Sequence, residues 1–227
     1  MRLSRLTLLV PALLLARPAP AQDAADYHYE NLVFTGLGVH LGSVFPARSE
    51  PALSLNVRAD LGLLGPALRI SPGITFWSSE LRDGEVERME TRLEAACERG
   101  GTPCPGIELG SVETSDLGLN VDAHYLWTTD FAIEPYAGAG VSLHLLNGRG
   151  DFIDDTFVEE LLDAVAPGLD LVGGLELPLA SSLRLMGEAR GVITGTTRYI
   201  SLSLGGTWVF PAGMQRPVAP PAAGGRR

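Results

Sequence analysis

Lysine is absent from this 227-residue chain, and all 17 of its basic residues are arginine. That bias carries no functional meaning by itself, but 27 Asp and Glu outnumber the arginines and leave a formal charge of −10. So acidic a chain is repelled by phosphate backbones, and nucleic acid is not an expected partner. Long apolar runs are also missing. The stretch Leu6 to Leu15 falls far short of the roughly 20 residues that a helix needs to cross a bilayer, and no later stretch does better. A helical membrane span is therefore excluded. Cysteine is scarce, with only Cys97 and Cys104.

The first residues have a recognisable pattern of their own. Arg2 and Arg5 precede the apolar run, and Ala19-Pro20-Ala21 follows it before Gln22. Residues 1–21 read as a secretory signal with an A-x-A cleavage site. Its loss removes Arg2, Arg5 and Arg17 and moves the formal charge from −10 to −13. In an exported chain, Cys97 and Cys104, set among Gly100, Gly101, Pro103 and Pro105, read as a local disulfide pinning a loop. A metal site would need further ligands, and no histidine lies nearby.

After a short segment over 22–30, the dominant period from Leu32 onward is two. Eight segments of about ten residues repeat it, the length of a tilted membrane-crossing strand. Leu53, Leu55, Val57, Ala59, Leu61 and Leu63 alternate with Ser54, Asn56, Arg58, Asp60 and Gly62; Leu117, Leu119, Val121, Ala123 and Tyr125 alternate with Gly118, Asn120, Asp122 and His124. The other six segments start near Val33, Leu68, Phe131, Leu169, Leu183 and Ile200 and behave alike. Arg198, at a strand end, is the only charge on the eight apolar faces.

The connections alternate between short and long, as an up-and-down barrel requires. Leu64 to Ala67, Trp127 to Asp130 and Pro178 to Ser182 are short; Ser43 to Ala52 is middling, Ser78 to Ser115 and Leu146 to Gly168 are long, and Gly195 to Thr197 is tight. Helices are expected in the two long loops, at Asp83 to Glu98 and Asp154 to Val165, where Phe157, Leu161 and Val165 have helical spacing. The first long loop holds nine Asp or Glu against four Arg and the second six against one, so together they carry −10. No EF-hand-like spacing occurs among the carboxylates, so a solvated face is expected there and no metal or cofactor. Residues 211–227 are Pro, Ala, Gly and Arg with no periodicity, and read as a disordered tail.

Alternation alone suits a soluble lipocalin-like barrel as well, with leucines inward. Three features favour the membrane orientation. The apolar face runs round the whole circumference. The aromatics Trp77, Tyr125, Trp127, Phe131, Trp208 and Phe210 lie near strand ends, as a girdle would place them. Glycines such as Gly36, Gly38, Gly118, Gly138, Gly140 and Gly205 sit on the polar face, where a narrow lumen leaves little room. Pro72 and Pro135 fall mid-strand, and bulges are expected there because proline cannot donate a ladder bond.

The expected fold is thus all-β: an eight-stranded antiparallel up-and-down transmembrane β-barrel over 31–210. With its signal, alternating strands and a last strand ending in Trp208-Val209-Phe210, the chain resembles the OmpA-, OmpX- and OmpW-like group of porin-like outer-membrane β-barrels. The resemblance implies an outer-membrane location in a Gram-negative-type bacterium, outer-membrane lipid and the assembly machinery as partners, and Phe210 as that machinery's signal. The tail departs from the group, and it is too short for a peptidoglycan-binding domain.

In such a barrel the candidate lumen ion pairs are Arg58, Arg69, Arg184 and Arg190 with Asp60, Asp122, Glu134, Asp170, Glu176 and Glu188. Charges in a confined lumen need partners. They would fill it as a plug, or line a narrow porin. Some barrels of this kind deacylate lipid with a Ser and His pair, and Ser142 with His144 and Asp122 with His124 share that spacing. Both pairs point inward, away from lipid, so no enzyme is expected. The expectation is a structural or surface-interaction role in the cell envelope.

Overall fold

The computed structural model describes residues 27–100, 106–150 and 163–211. Eight strands run in chain order: β1 (Gly36–Pro46), β2 (Ala52–Asp60), β3 (Leu68–Glu80), β4 (Glu113–Leu126), β5 (Glu134–Arg149), β6 (Ala164–Ala180), β7 (Leu183–Thr194) and β8 (Arg198–Val209). Each pairs antiparallel with the next, and β8 returns to β1 with Gly36 opposite Val209, closing the barrel. Closure leaves no unpaired edge, the condition for a sheet in hydrocarbon.

The alternation resolves into two surfaces. Leu53, Leu169, Leu171, Leu202 and Leu204 stand outward and exposed, Leu204 to 74%, whereas Arg58, Asp122, Asp170, Glu176 and Arg190 are buried inside. The barrel is therefore the inverse of a lipocalin-like one. Most of its exterior aromatics gather at the end carrying the short turns, where Tyr125 meets Trp127 edge-on at 5.2 Å and Phe34 meets Phe210 at 5.2 Å, while Phe45 and Phe76 stand toward the loop end. Trp77 does not belong to this girdle. It is 2% exposed and points into the barrel, because it shares the parity of Gly73 and Thr75.

The two prolines are accommodated differently, Pro72 beside a one-residue slip of register on the β2 side and Pro135 with its register intact. Across Pro72 the β3–β4 register is continuous, with Pro72 opposite Val121. On its other side, the register that pairs Arg58 with Gly73 would set Ala59 against Pro72, and the ladder stops there. The Ser71 hydroxyl donates to the Ala59 carbonyl at 2.9 Å, supplying the hydrogen bond that proline cannot. Pro135 is the second residue of β5, and its carbonyl accepts from Trp127 at 3.0 Å, so its missing donor faces the turn. Past Pro72 the Leu63–Arg69 bridge is offset by one residue from the Arg58–Gly73 register, and a further shift falls between Pro178 and Ala180.

Strands reach further toward the loop end than the sequence pattern suggests. The first long connection narrows to residues 81–112, and β6 already begins at Ala164, so Val165 is a strand residue and not part of a helix. The remainder of that expected helix lies within residues 151–162, outside the described residues, as do the signal segment and residues 212–227. In the first long loop, α1 (Asp83–Arg99) forms with Asp83 and Glu85 in its first turn and Arg99 in its last, both matched to the helix dipole. Its apolar side does not need the barrel. Val86 packs with Leu109 and Val112, with Leu81, Met89, Leu93 and Ile107 around them. Glu90 accepts from the Leu109 backbone N–H at 2.8 Å and Glu94 from that of Ile107 at 3.3 Å, tying the returning chain to the helix. Cys97 lies on α1, and Cys104 is outside the described residues, so the bridge expected between them is too.

Candidate functional site

The interior is where chemistry-bearing side chains converge, and a pairing rule decides how they fit. Large polar side chains stand opposite glycine on a neighbouring strand: His40 opposite Gly205, Arg58 opposite Gly38 and Gly73, Asp122 opposite Gly140, His124 opposite Gly138, Ser142 opposite Gly168. A Cβ on Gly140 would lie 2.1 Å from Asp122 Oδ1, and one on Gly138 2.2 Å from the Ala123 carbonyl. The glycines are thus the floor on which the charged groups lie flat across a narrow lumen.

Nine of the ten expected lumen residues meet in a connected network. Arg190 is its centre: its guanidinium reaches Asp122 at 2.6 Å, Asp170 at 2.8 Å and Glu188 at 3.3 Å. Arg58 donates to the other Glu188 oxygen at 2.7 Å and through Nε to His40 Nε2 at 3.0 Å. The Tyr136 hydroxyl also donates to Glu188, at 2.7 Å. Toward the turn end, Arg69 contacts Glu176 closely and stacks over the Tyr136 ring at 5.5 Å. Arg184, a third exposed at the mouth, lies 3.8 Å from Asp60 and 3.7 Å from Glu176. Glu134, at the first position of β5, is half-buried and makes no ion pair among the described residues.

Alternation alone did not identify the apolar residues that seal this network. Val44, Trp77, Val192 and Tyr199 cluster inside the loop end, with Trp77 and Tyr199 edge-to-face at 5.7 Å. Tyr136, Val172 and Met186 form a second cluster toward the turn end. Their signal was parity: each keeps the phase of its strand's inward residues, so an apolar residue in the polar phase marks a plug.

One further constellation looks like hydrolytic machinery. His144 places Nε2 3.0 Å from the Ser142 hydroxyl and Nδ1 2.9 Å from Asp116, the spacing of a nucleophile, base and orienting carboxylate. The serine proton, however, goes to Asp170 at 2.7 Å, so the hydroxyl is not poised toward the imidazole. Space is lacking as well. A Cβ on Gly168 would come within 2.6 Å of Ser142 Oγ, leaving no room for a substrate carbonyl on that side. The triad is the loop-end extension of the network, running Asp116–His144–Ser142–Asp170–Arg190. Asp122 and His124 are paired differently, 3.8 Å apart with Asn120 donating to Asp122 at 2.7 Å. No group of three or more potential metal ligands occurs among the described residues.

No protein-family profile matches the chain, and no curated protein matches its sequence. Solved structures do. Neisserial surface protein A superposes with a TM-score of 0.52 at 14% identity, covering 77% of this chain and 96% of its own. Ail of Yersinia pestis, in complex with the heparin analogue sucrose octasulfate, superposes with a TM-score of 0.50 at 5% identity, covering 79% of this chain and 99% of its own. At such identities the likeness is one of fold. The chain shares the closed, eight-stranded antiparallel architecture of the small outer-membrane β-barrels.

Proposed function

We propose that the protein is a non-enzymatic barrel of the Gram-negative outer membrane, closed to solutes, that holds its loops at the cell surface in a structural or surface-interaction role. One observation carries this reading: the lumen is filled by an ion-pair network with apolar side chains at either end. The apolar outer wall supports the membrane setting, and the turn-end aromatics suit a periplasmic interface. On this orientation α1 and its own small core stand outside the membrane as a preformed surface element. The loops' charge of −10 would repel a polyanion such as the heparin analogue in the Ail complex, so a partner that is neutral or cationic fits better.

The test is single-channel recording on protein refolded into planar bilayers, paired with electrophoresis before and after boiling. Heat-dependent mobility without discrete conductance is the expected result. Sustained conductance steps would overturn the plugged lumen and establish a narrow porin instead; a soluble protein with no mobility shift would overturn the membrane assignment.

A further inference from the structure

The outer wall is not uniformly covered. On β7 the outward residues are Leu183, Leu185, Gly187, Ala189, Gly191 and Ile193, and a Cβ placed on Gly191 would meet nothing within 4 Å. Leu171 of β6 and Ile200 of β8 stand directly beside Gly191 in register, forming the two walls of a trench. The trench encloses about 590 Å³, within the range of about 300–1,000 Å³ typical of small-molecule pockets. Its lining side chains are almost wholly apolar, with one exposed cation, Arg198, on its loop-end rim.

Arg198 is the one charge on the outward faces of β6, β7 and β8 around the trench, and its guanidinium has no ion-pair partner among the described residues. Its surroundings explain why an anion could approach it. The acidic loops join β3 to β4 and β5 to β6, so only the second ends on a wall of the trench, whereas β7 and β8 are linked by residues 195–197 alone, the shortest connection at that end. The backbone at Arg198 is held in place, its carbonyl accepting from Ala47 at 3.0 Å.

We propose that this trench is a lipid site: it seats an acyl chain of one lipid of the outward leaflet, whose anionic phosphate headgroup pairs with Arg198. The proposal rests on the membrane reading above. A guanidinium recognises phosphate by charge-assisted, two-point hydrogen bonding, while the glycine floor admits a chain that a larger side chain would exclude.

The test is native mass spectrometry of the full chain released from micelles containing equimolar phosphatidylglycerol and phosphatidylcholine with matched acyl chains. The wild type is expected to retain one lipid and to favour phosphatidylglycerol about tenfold, one ion-pair's worth of selectivity. Arg198→Gln should retain either lipid equally, and Gly191→Leu should retain little of either. An unchanged preference in Arg198→Gln, or undiminished lipid in Gly191→Leu, overturns the site. So does a wild-type dimer that Gly191→Leu dissociates, because a second copy of the chain would then be the occupant. Heat-dependent mobility of each variant separates the two ideas: folded protein without selectivity defeats the lipid site alone, and protein that never folds in micelles defeats the membrane reading.

Discussion

Replacing Arg190 by Met keeps much of the side-chain length and removes the charge that holds three carboxylates together. Asp122, Asp170 and Glu188 lie 2.6–3.3 Å from that guanidinium and are all buried. Breaking a buried pair by deleting one partner costs roughly 3–5 kcal/mol, because the remaining charge stays desolvated and uncompensated. Here three acceptors lose their shared cation, although Arg58 still reaches Glu188 at 2.7 Å, Asn120 still donates to Asp122 at 2.7 Å and Ser142 still donates to Asp170 at 2.7 Å. The expected loss is therefore about 4 kcal/mol, on the order of a thousandfold in the unfolding equilibrium. The assay is urea unfolding in lipid vesicles, followed by tryptophan fluorescence. Arg88→Met is the internal control: Arg88 pairs with Glu85 on the solvent side of α1, and an exposed pair is worth about 0–1 kcal/mol. A double-mutant cycle with Asp122→Asn should show the two losses to be less than additive. Refutation is a loss below about 1 kcal/mol, equal to the control, for that would mean the lumen is wet and its charges solvated.

Other expectations test separate parts of the structure. Gly138→Leu would drive a side chain into the Ala123 carbonyl, so no heat-modifiable barrel should form on refolding, whereas Gly84→Leu, with open space around it, should fold normally. Leu109→Ala should weaken the loop core by roughly 2–5 kcal/mol, seen as protease cleavage between α1 and β4 while barrel mobility stays unchanged. Ser71→Ala removes the hydroxyl that reaches the Ala59 carbonyl opposite Pro72, and a stability loss of about 1–3 kcal/mol is expected by urea titration. Phe210→Ala should slow assembly in cells more than refolding in micelles if the terminal aromatic is read as a signal; equal slowing in both would assign its role to packing against Phe34.

How much was legible in sequence differs from element to element. The eight strands were, because period two over about ten residues has few other physical solutions. The residues able to form the network were also legible: nine of ten candidates meet, since a charge on the inward phase has nowhere else to go. Glu134 stands apart because it sits where β5 begins, near a mouth and not inside. Trp77 was misplaced by reading its nearness to a strand end before its parity. The prolines were legible in part. A missing backbone donor suggested a bulge, and the register does slip by one residue opposite Pro72 but not at Pro135; Ser71 stands in for the missing donor only because the barrel brings its hydroxyl against Ala59.

Local alternation therefore determined that the chain forms a sheet with one apolar and one polar face, and that its connections alternate short and long. It left open which face is inside, because a period of two is unchanged when the barrel is turned inside out. Closure decided that, together with everything that depends on side chains from strands remote in sequence: Arg190 meeting Asp122, glycines lying opposite the groups they make room for, Trp77 closing on Tyr199, and an uncovered trench beneath Arg198. These contacts depend on the register of strands separated by up to the length of the barrel. Register is a property of the closed sheet and not of any one strand.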